Sequence, residues 1–247
     1  MDRLTRHELK QDEFKESLDQ LEQYMTAHLK EIVTVVILAI VVVGSAVGMK
    51  YYLSEQEANA NLDLAAALRT FQAYVGTVAP GSMAPGTESY PTTADRYKAA
   101  LFKFNAIGAK YRLFPRPKAV GIALYHSGLC ESRLGNTTVA INTLQEASRD
   151  GDRDIASLAQ LALADEFLKT GKTQEADRIY QNLADHPTLT VPRSTALMAL
   201  ADSMKSSQPA RARQLYDQIR KEFGSEPAVA QILREEMADL PQGGGGQ

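Results

Sequence analysis

The sequence predicts an all-α protein: one transmembrane helix near the N-terminus, then an α-solenoid of about four helix pairs. Three observations carry this expectation. Ile32–Met49 is an 18-residue run without a charge. Residues 55–238 carry apolar residues at i, i+3, i+4 spacing with almost no strand signal. The same apolar pattern also recurs every 36 residues in three successive blocks.

Composition hides this organisation. The chain has 247 residues, 44% hydrophobic and 23% charged, with one cysteine, no tryptophan and a net charge of -3. Such averages exclude a collagen-like, disulfide-rich or wholly disordered chain, and offer no basic excess to hold nucleic acid. One cysteine cannot close an intramolecular disulfide, so folding must rest on burial.

Residues 1–31 hold five basic and eight acidic residues, hence the whole of the -3. Phe14, Leu18, Leu21, Met25 and Leu29 fall on one stripe of a 3.6-residue period, which predicts an amphipathic helix. Its acidity disfavours an anionic bilayer surface and suits a partner protein or self-association.

Ile32–Met49 then follows, bracketed by Lys30–Glu31 and Lys50, with Tyr51 and Tyr52 placed for the headgroup level. A helix of that length spans about 27 Å, close to the hydrocarbon core. The long acidic preamble and the lack of a small-residue cleavage site favour an uncleaved span over a signal peptide. Arg3, Arg6, Lys10, Lys15 and Lys30 precede the span, whereas only Lys50 and Arg69 follow it closely, so the N-terminus is expected inside. Gly44 and Gly48, four apart on one face, would let another membrane helix approach; glycine is also simply common in such helices. The expected division is therefore 1–31 cytoplasmic tail, 32–49 transmembrane helix, 50–240 solenoid and 241–247 flexible Gly-rich end.

Within the solenoid, the prolines and glycines of residues 79–93 forbid a continuing helix and predict a long loop. Ala140, Ala176 and Ala212 share one register, and Leu144, Tyr180 and Tyr216 another. Gly135, Gly171 and Ser207 mark the turn within each pair. A looser earlier pair shows Ala100, Phe104 and Ile107. Small residues let antiparallel helices approach, and the large ones fill the space against the next pair.

This pattern resembles the tetratricopeptide repeat. Ala123–Ala147 matches best, with Gly128, Gly135, Ala140, Leu144 and Ala147 at the family's small and large positions. The next block supplies Ala164, Phe167, Gly171, Ala176 and Tyr180; the third keeps Ala212 and Tyr216 but has Ser207 for the turn glycine. The spacing of 36 instead of the usual 34, and the absence of tryptophan, are departures.

A charged tail, one membrane helix and a repeat domain, with HELKQDEF at the start and NLDLAAALRTFQAY in the first long helix, resemble the YfgM-like ancillary subunit family of the bacterial Sec translocon. That resemblance implies a single-pass protein of the bacterial inner membrane with a periplasmic C-terminal domain. It implies as partners the Sec translocon, a membrane-anchored periplasmic foldase or chaperone of the prolyl-isomerase type, and unfolded clients. The repeat resemblance places a protein-binding concave face on Ile122, Tyr125 and Leu129, on Leu158, Leu161 and Asp165, and on Ser194, Leu197 and Ala201. A register off by one would instead make these core residues.

No enzymatic constellation emerges, and no catalytic, metal or cofactor-binding residue is expected. Gly171-Lys172-Thr173 lacks the upstream glycine of a phosphate loop. His7, His28, His126 and His186 are scattered along the chain, so no metal site is expected. His126 and Cys130 could form a thiolate pair but read better as a core thiol beside an imidazole. Asp150, Asp152 and Asp154 read as an inter-repeat turn, not a calcium loop. Arg133, Lys169 and Lys205 recur every 36 residues near helix C-termini, where cations are favoured structurally. A non-enzymatic interaction scaffold is the resulting expectation. The alternative is a signalling scaffold whose tail sequesters a cytoplasmic regulator.

Overall fold

The computed structural model describes residues 27–76, 87–112 and 115–238. The amphipathic stripe expected at Phe14, Leu18, Leu21 and Met25, and the Gly-rich 241–247, lie outside these residues. The chain divides into two compact units, Met1–Glu55 and Gln56–Gln247.

In the first unit, helix α1 (Leu29–Phe71) begins. An 18-residue window of it has mean hydropathy 2.8 with no residue buried. The side chains of Val33–Met49 are exposed throughout. A core helix of a soluble protein would bury such a surface, so this helix has the length and apolarity to cross a membrane or to act as a signal sequence. A Cβ added at Gly44 or Gly48 would meet nothing within 4 Å, so both backbones stand open.

The second unit is a row of helices. From Gln56 onward α1 acquires a buried stripe, Ala60, Leu64 and Ala67, at 4- and 3-residue steps. Then come strands β1 (Tyr74–Val75) and β2 (Ser89–Tyr90), followed by α2 (Thr93–Lys110), α3 (Lys118–Arg133), α4 (Thr137–Asp150) and α5 (Arg153–Lys169). Helices α6 (Thr173–Asp185), α7 (Arg193–Met204), α8 (Pro209–Phe223) and α9 (Pro227–Ala238) complete the row. From α2 to α9 each helix packs on the next, and α3 also touches α5. This is the expected all-α solenoid, with the pairs α1–α2, α3–α4, α5–α6 and α7–α8 and α9 covering the last.

Local chemistry sets the boundaries. Thr92 caps α2 by accepting from the Asp95 N–H at 3.1 Å, and Asp152 caps α5 by accepting from the Ile155 N–H at 3.0 Å. Asp152 thus belongs to an inter-repeat turn, as the acidic run suggested. Gly135 (φ +82°) and Gly171 (φ +76°) close α3 and α5 in the left-handed conformation that glycine adopts without steric cost. Behind each glycine the next N–H reaches five residues back, Asn136 to Glu131 at 2.9 Å and Lys172 to Phe167 at 2.8 Å. The third turn, with Ser207 in place of glycine, has no left-handed residue. It closes instead through the Gln208 N–H on the Met204 carbonyl at 2.7 Å.

The core follows the repeat. Ala140, Ala176 and Ala212 are fully buried, as are Leu144, Tyr180 and Tyr216 in the second register. Ala100, Phe104 and Ile107 of the looser pair are buried as well.

The long connection of residues 79–93 carries more order at its base than a plain loop would. Tyr74 and Val75 pair in parallel with Ser89 and Tyr90. Beside them, Glu88 accepts from Lys103 at 2.7 Å, Thr70 at 2.5 Å and Tyr90 at 3.0 Å. The Lys103 ammonium, then the Thr70 hydroxyl, hold the Glu88 carboxyl below its usual range. A carboxyl lowered on folding stabilises above its unfolded pKa and loses that contribution as pH falls through the folded value. Glu88→Gln should therefore cost about 1 kcal/mol at neutral pH, the ion pair being half exposed. The difference should shrink as pH drops below 4.5, as read by thermal unfolding of the two proteins across pH 3–7.

Candidate protein-binding groove

The face in question is built by the first helix of each pair, α3, α5 and α7. Ile122, Tyr125 and Leu129 on α3 and Leu158 and Leu161 on α5 are half-buried, and Asp165 is exposed. These side chains are partly covered by their own repeat and still reach solvent, an arrangement suited to a surface that contacts something else. Burial, and behind it the charge of Asp165, push the Tyr125 phenol up. The α3 and α5 positions thus face common space.

The third set departs from expectation. Ser194 is 9% exposed, Leu197 2% and Ala201 0%, so all three are core residues. The cause is the glycine-free turn between α7 and α8. Its closing hydrogen bond reaches back four residues instead of five, and Ala201 to Ala212 spans eleven residues where Ala164 to Ala176 spans twelve. On α7 the repeat therefore advances by 37. Ser157 and Ser194, Ala159 and Ala196, Leu163 and Leu200, and Ala164 and Ala201 are buried as matched pairs. The residues of α7 equivalent to Leu158, Leu161 and Asp165 are Thr195, Met198 and Asp202, of which Thr195 and Asp202 are exposed and Met198 half-buried. The repeated Leu-Ala-Asp at 163–165 and 200–202 carried this shift in plain sight.

One polar feature repeats with it. The Tyr180 hydroxyl donates to Asp165 Oδ1 at 2.6 Å, and the Tyr216 hydroxyl donates to Asp202 Oδ1. Burial raises both carboxyls, and for Asp202 the neighbouring Glu236 raises it further. Both tyrosine phenols are pushed up, by burial first and then by these aspartates.

At the α2–α3 end the wall becomes aromatic. His126 stacks on Phe104 at 5.2 Å between centroids and meets Phe71 and Tyr125 edge-on. Burial pushes the imidazole down to about 4 and the fully buried Cys130 thiol up to about 12. At neutral pH both groups are therefore neutral, and a thiolate–imidazolium pair does not form.

Two of the basic residues that recur every 36 positions, Lys169 on α5 and Lys205 just past α7, have carboxylate partners. Lys169 donates to Glu166 at 2.5 Å and to Ser132 of the preceding repeat at 2.9 Å. Lys205 bonds Glu236 and lies 3.8 Å from Asp202. Gly171-Lys172-Thr173 is the helix turn described above, with the Lys172 ammonium over the Phe167 ring at 5.5 Å. Among the described residues no group of three or more His, Cys, Asp and Glu side chains is placed to hold a metal.

Comparison with known families matches a tetratricopeptide repeat model to residues 122–150, which spans most of α3 and all of α4. No curated protein matches the chain. The match falls on the pair whose glycines, alanines and leucine fit the repeat pattern best, and the helix pairs that follow copy its packing. The second unit is thus a tetratricopeptide-repeat-like solenoid, an architecture that serves as a scaffold for binding other proteins.

Proposed function

We propose that this protein is a non-enzymatic, single-pass scaffold of the bacterial inner membrane, with residues 1–31 cytoplasmic, 32–49 spanning and 50–240 periplasmic. The observation that carries the reading is the pairing of an apolar run exposed from Val33 to Met49 with a repeat domain whose first-helix face is mostly apolar and half-open to solvent. An exposed strip of that length is at home in hydrocarbon, and a groove of this chemistry suits a polypeptide segment. Ile122, Tyr125, Leu129, Leu158, Leu161 and Asp165 form the contact face, continued on α7 by Thr195, Met198 and Asp202. Gly44 and Gly48 are the place for a neighbouring membrane helix.

The resemblance to the ancillary Sec subunit family supplies the partners in this reading: the translocon, a membrane-anchored periplasmic foldase and emerging clients. Crosslinking in native membranes followed by mass spectrometry tests it. The expected result is recovery of the Sec channel or a periplasmic foldase, and recovery of neither defeats the assignment. The signalling alternative predicts a different outcome on deleting residues 1–28, with regulation lost while client binding survives.

A further inference from the structure

We propose that two copies of this chain pair through their α1–α2 helix pairs, each Phe102 entering the other copy's cleft between α1 and α2. The inference goes beyond the groove reading, since none of its residues lies on α3, α5 or α7.

The second helices of the pairs show what is unusual about α2. Ala100 and Phe104 align with Ala140 and Leu144, and with their counterparts at each further 36 residues. Phe102 then takes the position of Asn142, Arg178 and Gln214. Ala106 takes that of Glu146, Asn182 and Gln218. The later helices thus carry exposed or half-buried polar side chains where α2 exposes an aromatic ring and a methyl group. Phe102 is 77% exposed, and Leu62 on α1 is 69% exposed. Leu62 stands one turn before Ala66, and Ala66 and Phe102 line the same cleft. Both helices therefore leave apolar surface on one side, as an interaction face does.

Shape and charge choose the occupant. The cleft holds about 270 Å³, with Ala66, Ala106 and Ile107 as its apolar lining beside Phe102. An apolar cavity of about 150 Å³ already admits a benzene ring. A protruding ring next to a cleft of that size is complementary to itself across a two-fold axis, where every contact is made twice. The lining charges are Asp63, Lys103 and Lys110. Lys110 bonds Asp63 at 2.8 Å and Lys103 bonds Glu88 at 2.7 Å, so each ammonium brings its own carboxylate. Such a balanced face meets its own copy without repulsion and offers no single sign of charge to a charged partner. Lys98, one turn before Phe102, is exposed and keeps its ammonium hydrated at the rim.

Photo-crosslinking of the full chain, with p-benzoylphenylalanine in place of Phe102, tests the contact in membranes and in a non-ionic detergent. The expected product is an adduct of two copies, and the same substitution at Asn142 should give none. Sedimentation in detergent should show the native chain passing from monomer to dimer as concentration rises. Phe102→Gln with Leu62→Gln should raise the dissociation constant at least about tenfold, because each copy loses its apolar anchors. Both side chains are exposed, so the helical signal should not change. Val139→Gln with Ile232→Gln, exposed apolar residues on α4 and α9, should leave the dimer intact. Three outcomes overturn the proposal: a native chain that stays monomeric, a dimer that survives Phe102→Gln with Leu62→Gln, or an adduct with a different protein in place of a second copy. None of the three touches the groove reading.

Discussion

Replacing Gly128 by alanine should lower stability by about 1–2 kcal/mol, and replacing it by leucine by more than about 3 kcal/mol. A Cβ at Gly128 would stand 2.6 Å from Leu144 Cγ and 2.7 Å from its Cδ2. Leu144 is fully buried, so it cannot retreat without displacing the helix pair. Alanine is worth up to about 1 kcal/mol more than glycine inside a helix, which offsets part of the clash. Gly108→Ala isolates that helix term, because a Cβ there meets nothing within 4 Å, and it should stabilise slightly. Gly128→Ala combined with Leu144→Ala relieves the clash but leaves a cavity, so the pair should be strongly non-additive. Urea unfolding followed by circular dichroism reads these proteins beside Leu144→Ala and the native chain. A neutral Gly128→Leu would mean that α3 and α4 do not approach as described. Since each repeat buries only what its neighbour supplies, loss at this pair should spread to the solenoid on both sides.

Gly128 also illustrates what could be read beforehand. Its spacing to Ala140 and Leu144 was visible, because close helix packing needs a small residue facing a large one at fixed intervals. The alanine and large-residue registers of the second helices, the turn glycines and the fully exposed apolar run were legible for the same reason: each is a periodic or compositional signature of a single physical demand. The groove on α7 was not read correctly. A strict 36-residue period carried Ser194, Leu197 and Ala201 onto the surface, and these are core residues. The period of the second helices is 36, but α7 is offset by one, and its turn has no left-handed glycine and closes over four residues instead of five. The 37-residue spacing of the two Leu-Ala-Asp triplets encodes that offset, but the 36-residue register of the second helices masks it. The tyrosine–aspartate bonds escaped for a related reason. They join side chains 15 and 14 residues apart in sequence, and only the packed geometry brings those hydroxyls and carboxylates together. The Glu88 network that ties the ends of the long connection is of the same kind, with Thr70 and Lys103 contributed from two different helices.

The second large effect concerns the apolar run. Ile37→Arg with Val41→Arg should shift the protein from the membrane to the soluble fraction, while the repeat unit keeps its helical signal and its unfolding temperature. Eleven of the residues 32–49 are Ile, Val or Leu. At about −0.3 to −0.6 kcal/mol each they favour insertion by roughly 3–6 kcal/mol, less a small penalty for the polar and small residues. An arginine near the middle costs about 2.5–3.5 kcal/mol in addition to the apolar residue it replaces, so one leaves insertion near balance and two reverse it. Ile37 and Val41 are both exposed, so the substitutions remove no core packing. Solenoid stability is therefore the internal control that separates failed insertion from misfolding. Fractionation with alkaline carbonate reads the location, and the intact mass of the native protein separates a retained span from a cleaved signal sequence, which would remove the run altogether. Were the strip instead a docking face for a soluble partner, the native chain would be released by carbonate, and the arginines would alter complex size without altering compartment. Gly44→Ile with Gly48→Ile makes the run more apolar, so insertion should hold or strengthen. Any helix–helix contact through those open backbones should weaken, which separates the span's role as an anchor from its role as an interface.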